Sequence, residues 1–370
     1  MSRITLNGRR PDYVMIFSTI ILVVFGLVML ASASSYAGQT KFGDSYYYLK
    51  HQIFYGLSFG IIGFIFAYNF YYQKYKKLAL PGLLLIMFFL IMVFTPMGVR
   101  SGGAERWLNL GFITFQPSEF LKIVFLIYIA AWFSGKETRR TGFWGGLVPF
   151  LFISGIVSFL LFKQPTTSVI FILIPAAIAI YFVSGAKIIY VVGMIVVVPA
   201  LIFSLIYLMH DYRWQRIQTF INPNTDIQQS GYHISQSLIA VGSGGWTGVG
   251  YGQSTTKISR LPEPMGDSIF AIIAEELGFI GVLIFMVPFM ALVIRGFILA
   301  RRTSDNFGKY LLTGFSALIG VQTFINIAAI SGLIPMTGVP LPFISYGGTA
   351  LAVFMTISGI MVNISRYSRG

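Results

Sequence analysis

The chain has 370 residues, of which 56% are hydrophobic and only 10% charged. A soluble domain carries about 25% charged residues, so this balance excludes a single globule in water and points to a core solvated by lipid. The formal charge of +14 comes from Lys and Arg in short clusters between apolar runs, which read as topology signals rather than as a nucleic-acid surface. No Cys is present and there are three His, which excludes a disulfide framework or thiolate metal site and argues against a His-rich metal centre.

A spanning helix needs roughly 20 apolar residues. Such runs are predicted at 13–33, 53–71, 78–96, 120–133, 143–162, 169–183, 188–209, 268–299, 311–334 and 343–364. They define an all-α polytopic membrane protein of ten transmembrane helices. The fourth and sixth runs are short, and the eighth is long enough to tilt. The first ends in Ala31-Ser32-Ala33-Ser34 and so imitates a signal peptide, but it is too long for a cleaved apolar region and reads as a retained helix. With no internal repeat and no linker, residues 1–370 read as one domain.

Orientation follows from the basic clusters. Arg9 and Arg10, Lys74 to Lys77, Arg295 to Arg302 and Arg366 alternate with the runs so that most basic residues fall on one side. The positive-inside rule then places both termini in the cytoplasm. The opposite face receives the segments around 34–52, 97–117, 163–166, 210–267 and 335–342. The long one, 210–267, is rich in Gly, Ser and Pro, and structureless loops of that length are uncommon unless functional.

Charges within apolar runs are costly and are functional hypotheses by default. Four qualify: Glu119 and Lys122 in the fourth run, Glu275 and Glu276 in the eighth. One reading is an ion pair knitting the fourth and eighth helices together; the other is the floor of an outward-facing cavity. Basic residues left outside suggest an anionic ligand such as a diphosphate, or simply balance for the outer acids and lipid headgroups. Asp267 follows the proline-containing Leu261-Pro262-Glu263-Pro264 and opens an apolar run, where it serves either as a helix N-cap or as a carboxylate able to take a proton from a hydroxyl. The glycines 242, 244, 245, 248, 250 and 252 lack the Gly-Lys-Ser/Thr ending of a P-loop and read as tight backbone packing or a flap. A transferase with an outward site has no cytoplasmic nucleotide donor, so its activated group would come from a lipid carrier in the same membrane.

Several motifs appear in a fixed order: Gly26-Leu27-Val28-Met29, Ala104-Glu105-Arg106-Trp107, Gln116-Pro117-Ser118-Glu119 with Lys122, and Gln164-Pro165. They continue with Gly231-Tyr232-His233, Gly242-Ser243-Gly244-Gly245-Trp246, Asp267, Glu275-Glu276-Leu277-Gly278, Asn326 and Pro342-Phe343-Ile344-Ser345-Tyr346-Gly347-Gly348. Nearly end to end, the chain resembles the SEDS family (shape, elongation, division and sporulation). The resemblance implies a peptidoglycan glycosyltransferase of the cytoplasmic membrane that polymerises lipid II, using a growing glycan on undecaprenyl diphosphate as donor. It implies Asp267 as catalytic base, with Arg106, Lys122, Arg213, Arg216, Lys257 and Arg260 binding the diphosphate, and Gln116, Glu119, Glu275, Glu276 and Ser345 supporting the cavity. It implies a class B penicillin-binding protein and other division proteins as partners, and it leaves room for a divalent cation, magnesium or manganese, at Asp267.

The sequence departs from the family pattern in places. Thr166 stands where an aspartate is usual, and Met265-Gly266 replaces the common His-Thr, so no histidine assists Asp267 from that position. Gly103 also differs from many relatives. The competing functions are a lipid II flippase, a secondary transporter and a non-catalytic division scaffold. The interior charges cluster towards one face and no inverted repeat is visible, which disfavours a path across the whole bilayer.

Overall fold

The computed structural model describes residues 10–101, 104–109, 114–135, 141–209, 212–222, 230–258 and 261–368. Each of the ten predicted runs overlaps a helix, with ends that differ by several residues: α1 (Tyr13–Phe42), α2 (Tyr47–Asn69), α3 (Gln73–Met92), α4 (Pro117–Phe133), α5 (Phe143–Lys163), α6 (Thr167–Val183), α7 (Ile188–Met209), α10 (Ile269–Arg302), α11 (Asn306–Ile330) and α12 (Gly348–Ser365). Eight are long and apolar enough to cross a membrane; α4 and α6, the two short runs, have 17 residues each. In lipid every backbone amide must be satisfied internally, so long apolar runs can hardly be anything but helices.

Local chemistry sets the ends. The Asp12 carboxylate accepts from Met15 N at 3.2 Å to start α1, and Gly43 ends it in the left-handed conformation at φ 69°. Asp305 caps α11 through Gly308 N at 2.8 Å. Asp12 also receives Arg295 at 2.7 Å, tying the start of α1 to α10.

Small residues let the helices meet closely, as membrane packing requires. A Cβ on Gly359 of α12 would stand 2.6 Å from the Phe64 carbonyl of α2, and one on Gly26 of α1 would stand 2.6 Å from the Phe343 carbonyl. α11 is the central element, with Leu311, Leu312, Phe315, Leu318 and Ile319 fully buried.

The structure differs from the sequence expectation in three respects. The segment expected as an irregular outer loop at 97–117 holds a three-stranded antiparallel sheet in the order β1 (Gly98–Ser101), β2 (Ala104–Asn109), β3 (Thr114–Phe115), so the fold is not purely helical. The expected long loop contains two helices, α8 (Tyr212–Ile221) and α9 (Ser230–Ser243). Finally, α10 is broken at Gly278 (φ 66°, ψ −173°), an interior backbone conformation open to glycine alone.

At that break two helical hydrogen bonds are exchanged. The carbonyls of Glu275 and Glu276 would serve Phe279 and Ile280 in a continuous helix. They accept instead from Val249 N and Gly250 N, both at 3.0 Å, while Phe279 N and Ile280 N turn to the carbonyls of Gly245 and Trp246 at 2.9 and 3.1 Å. The glycine-rich segment is therefore tight backbone packing: a Cβ on Gly244 would meet the Ala274 carbonyl at 2.0 Å, and one on Gly248 the Glu276 carbonyl at 2.2 Å.

Candidate active site

Three structures converge on Asp267. The 261–268 strap carries it to the start of α10, where Ser268, rather than Asp267, occupies the N-cap position, so of the two readings of Asp267 the helix cap is not met. Asn326 of α11 donates to the Asp267 carbonyl at 2.8 Å and to Val339 O at 2.7 Å, joining the strap to the segment before α12. That segment clasps the strap in turn: Ser345 donates its hydroxyl to Gly266 O at 2.6 Å, and Tyr346 N bonds Met265 O at 2.8 Å. Phe343 within it has φ 66°, a strained conformation for an aromatic residue and one that such ties can hold. The main chain of Asp267 is thus fixed independently of its side chain.

Burial pushes the Asp267 carboxyl up to about 6, against the opposing pull of the Arg216 guanidinium. Arg216 reaches it from α8 and also donates to Met336 O at 3.2 Å. His233 Nε2 of α9 is hydrogen-bonded to Ser268 Oγ at 2.5 Å, and Ser268 also reaches Pro262 O at 2.9 Å. Burial and then Arg216 bring the imidazole down to about 4, so it is neutral at pH 7. A histidine from a helix 34 positions upstream thus stands against Ser268, the residue that follows Asp267. Only the Gly231-Tyr232-His233 motif signalled it.

Beside this strap lies a cavity of about 630 Å³. Arg106 and Trp107 of β2, Gln116, Glu119 and Lys122 of α4, Arg213 and Arg216 of α8, Gly338 and Tyr346 all contribute to its wall. Arg106 is steadied by the Pro165 carbonyl at 2.8 Å. Arg213 donates to Thr167 Oγ1 at 2.7 Å and Phe162 O at 2.8 Å, with its guanidinium 3.9 Å over the Phe162 ring. Lys122 is buried and pairs with Glu119 at 2.7 Å, donates to Gln322 at 3.1 Å and lies over Phe354. The small sheet thus delivers an arginine to the rim, and the two extra helices deliver Arg213, Arg216 and His233.

An apolar groove of about 590 Å³ adjoins the cavity between α6 and α7, sharing Phe171. Every residue along it is apolar, Pro175 of α6 and Pro199 of α7 among them. A cavity carrying several basic side chains beside an apolar trough suits an amphiphile with an anionic head.

Several expected residues go elsewhere. Glu275 and Glu276 do not join Glu119 and Lys122, in a common cavity floor or in an ion pair between their helices. Glu276 pairs with Lys257 at 2.9 Å and accepts from Ser32 of α1 at 2.6 Å; Glu275 is held by Ser254 at 2.6 Å, by Thr255 N at 3.0 Å and by the Thr256 hydroxyl. Lys257 also donates to Gly252 O at 2.7 Å. It is paired within this buried cluster and is not among the residues of the cavity wall. Ser345 acts through the Gly266 backbone. Arg260 and Gly103 lie outside the described residues. Thr166 lines the cavity and donates its hydroxyl to Leu161 O at 3.0 Å. Asp267 is the carboxylate expected to take a divalent cation. Among the described residues no three His, Cys, Asp or Glu cluster into a metal site.

Fold and site together define a multi-pass helical membrane protein with a basic cavity next to a fixed carboxylate. The chain belongs to the FtsW/RodA/SpoVE family of cell cycle proteins, whose model matches residues 12–370. It is 36% identical over 366 residues to stage V sporulation protein E of Bacillus subtilis (strain 168), covering 99% of this chain and 100% of that one. It is also 36% identical over 361 residues to the probable peptidoglycan glycosyltransferase FtsW of Geobacter sp. (strain M18), covering 97% and 98%. Among solved structures it resembles a chain of a peptidoglycan synthase complex, with a TM-score of 0.79 at 23% identity over 96% of this chain and 98% of that one. RodA of Thermus thermophilus gives 0.70 at 24% identity over 96% and 97%.

Proposed function

We propose that the protein is a peptidoglycan glycosyltransferase that polymerises lipid II at the outer face of the cytoplasmic membrane during division. The observation that carries this reading is the Asp267 carboxylate held beside Gly338 and Arg216, two residues of the wall of a cavity with four basic side chains that adjoins an apolar groove. Relatives named as probable peptidoglycan glycosyltransferases support the activity. In this reading α4 and α6 also cross the bilayer, giving ten spans with both termini inside, and the cavity faces outward. A class B penicillin-binding protein is the proposed partner, in keeping with the fold's likeness to a chain of a peptidoglycan synthase complex.

The chemistry is a single inverting displacement. Asp267 takes the proton from the 4-hydroxyl of the GlcNAc of lipid II as that oxygen attacks the anomeric carbon of the donor strand. The bond from that carbon to the diphosphate breaks, and undecaprenyl diphosphate leaves. A base with a pKa near 6 holds a proton more strongly than an ordinary aspartate and is still ionised at pH 7. Arg106, Arg213, Arg216 and Lys122 face the charge that develops on the departing diphosphate. The groove between α6 and α7 receives the polyprenyl tail.

The test is glycan polymerisation from labelled lipid II by the purified protein with its cognate penicillin-binding protein, wild type beside Asp267→Asn. Polymer from the wild type and none from a variant with unchanged thermal stability supports the assignment. Equal polymer from both removes Asp267 from catalysis, and no polymer from either returns lipid translocation or a scaffold role as the reading to pursue.

A further inference from the structure

A chain of aromatic rings leads out of the cavity, and the proposed transfer does not use it. Tyr346, in the cavity wall, packs edge-on against Tyr48 with centroids 5.3 Å apart. Tyr48 meets Tyr47 at 5.6 Å, and Tyr47 stacks on Phe42 at 3.8 Å with planes 9° apart. His51 stands beside this row, accepting or donating at 3.0 Å to the Tyr346 hydroxyl. The outer members are open: Phe42 is 50% exposed and Tyr47 37%.

The row is rigidly joined to the cavity. Buried Gln52 accepts from Gly347 N at 3.1 Å, and the π-helical turn Gln52–Leu57 brings Gly56 against Gly348. Such turns frequently mark functional sites. At the other end the Lys50–Asp44 pair at 2.7 Å and the Asp44 bond to Tyr46 N at 2.9 Å fix the turn that presents Tyr47. Aromatic residues at a membrane interface commonly serve as a belt among the headgroups. A belt needs neither ring-to-ring continuity nor an end inside a polar cavity, and this row has both.

We infer that this row is a saccharide-binding track that receives the β-1,4-linked glycan chain as it leaves the cavity. The inference rests on the proposed transferase reading and names where its product goes. A cavity of about 630 Å³ is outgrown within a few sugars. The next units then need a surface that binds pyranoses without regard to register. An aromatic ring offers that, because the C–H bonds of a sugar's apolar face are attracted to the negative face of the π-system while its hydroxyls stay in water. The stacked pair Phe42–Tyr47 keeps part of each ring exposed to solvent, and the Tyr hydroxyls add hydrogen-bonding edges.

The experiment uses the full chain in detergent and a lipid-free GlcNAc–MurNAc octasaccharide, with binding followed by saturation-transfer NMR. This readout requires no catalysis and no lipid belt. The wild type is expected to bind, Tyr47→Leu and Phe42→Leu at least tenfold more weakly, and Tyr47→Trp close to the wild type, with thermal stability recorded for each. In polymerisation assays Tyr47→Leu is expected to shorten the strands. Absence of octasaccharide binding to the wild type, or equal binding by the folded leucine variants, overturns the track. Polymer formation combined with ring-independent binding removes the track and leaves the transferase standing. Ring-dependent binding without polymer keeps the saccharide site and removes the transferase.

Discussion

Asp267 and Arg216 face one another across Gly338: a Cβ built on that glycine would lie 3.6 Å from Asp267 Oδ2 and 4.0 Å from Arg216 Nη1. The carboxylate is raised to about 6 by burial and restrained from rising further by the guanidinium. Only the ionised form can act as a base. Polymerisation measured as kcat/KM should therefore fall towards acid with a midpoint near pH 6. Removing the cation in Arg216→Gln takes away a stabiliser of the charged form, so the midpoint should move to higher pH. His233 is held at about 4 and cannot supply a limb in this range. A pH–rate profile of the two proteins checks the assignment. An unmoved midpoint in Arg216→Gln would mean that Asp267 does not govern it.

The glycines of the α10 break should differ sharply in tolerance. Gly278 has φ 66° and a Cβ there would meet Gly248 N at 2.2 Å, so Gly278→Ala forces apart the interlocked backbones and should prevent stable folding. Gly245 also has positive φ, 52°, but nothing lies within 4 Å of its Cβ. Gly245→Ala should cost only the left-handed backbone term, about 1–2 kcal/mol. Thermal unfolding in detergent, with expression yield beside it, compares the two.

The division between what the sequence disclosed and what it hid follows from range. The ten helical runs were legible because in lipid a long apolar run has hardly any other solution, and Asp267 stood out by its place between prolines and an apolar run. The sheet was hidden because strands of 4, 6 and 2 residues carry too little alternation to register among glycines. α8 and α9 were obscured by the Gly, Ser and Pro content around them. The break at Gly278 was invisible because a lone glycine inside an apolar run reads as helix, and its cause is backbone pairing with residues 245–250. Charge partners were misassigned for the same reason. The Glu119–Lys122 spacing of three indicates a shared helical face, but nothing local indicates that Lys122 also reaches Gln322 or that Glu276 meets Lys257 and Ser32. His233 reaches the site only through the folding of the 230–268 segment onto itself.

The Glu119–Lys122 pair is buried yet lines the cavity, so structure and function can be separated there. Lys122→Met strands a buried carboxylate whose Oε2 already lacks a hydrogen-bond partner among the described residues, and should destabilise by about 3–5 kcal/mol. The double variant Glu119→Gln/Lys122→Met removes both charges and should recover much of that loss. If Lys122 also binds the diphosphate, polymerisation stays low in the double variant despite recovered stability. Recovery of both would make the pair purely structural.

Lys257 and Glu276 form the contrasting case, because their side chains are 6% and 0% exposed and lie outside the cavity wall. Lys257→Met should destabilise by about 3–5 kcal/mol for the same electrostatic reason. Yet the folded fraction should keep the wild-type KM for lipid II, because no diphosphate contact is lost. The double variant Lys257→Met/Glu276→Gln should regain stability while Ser32 still donates to the retained amide oxygen. Arg213→Gln provides the comparison, since Arg213 lines the cavity and its loss should raise KM severalfold. Thermal unfolding and initial rates across lipid II concentrations, measured on all three variants, check both halves. A KM raised as much by Lys257→Met as by Arg213→Gln would return Lys257 to the substrate and require the strap before Asp267 to open during turnover.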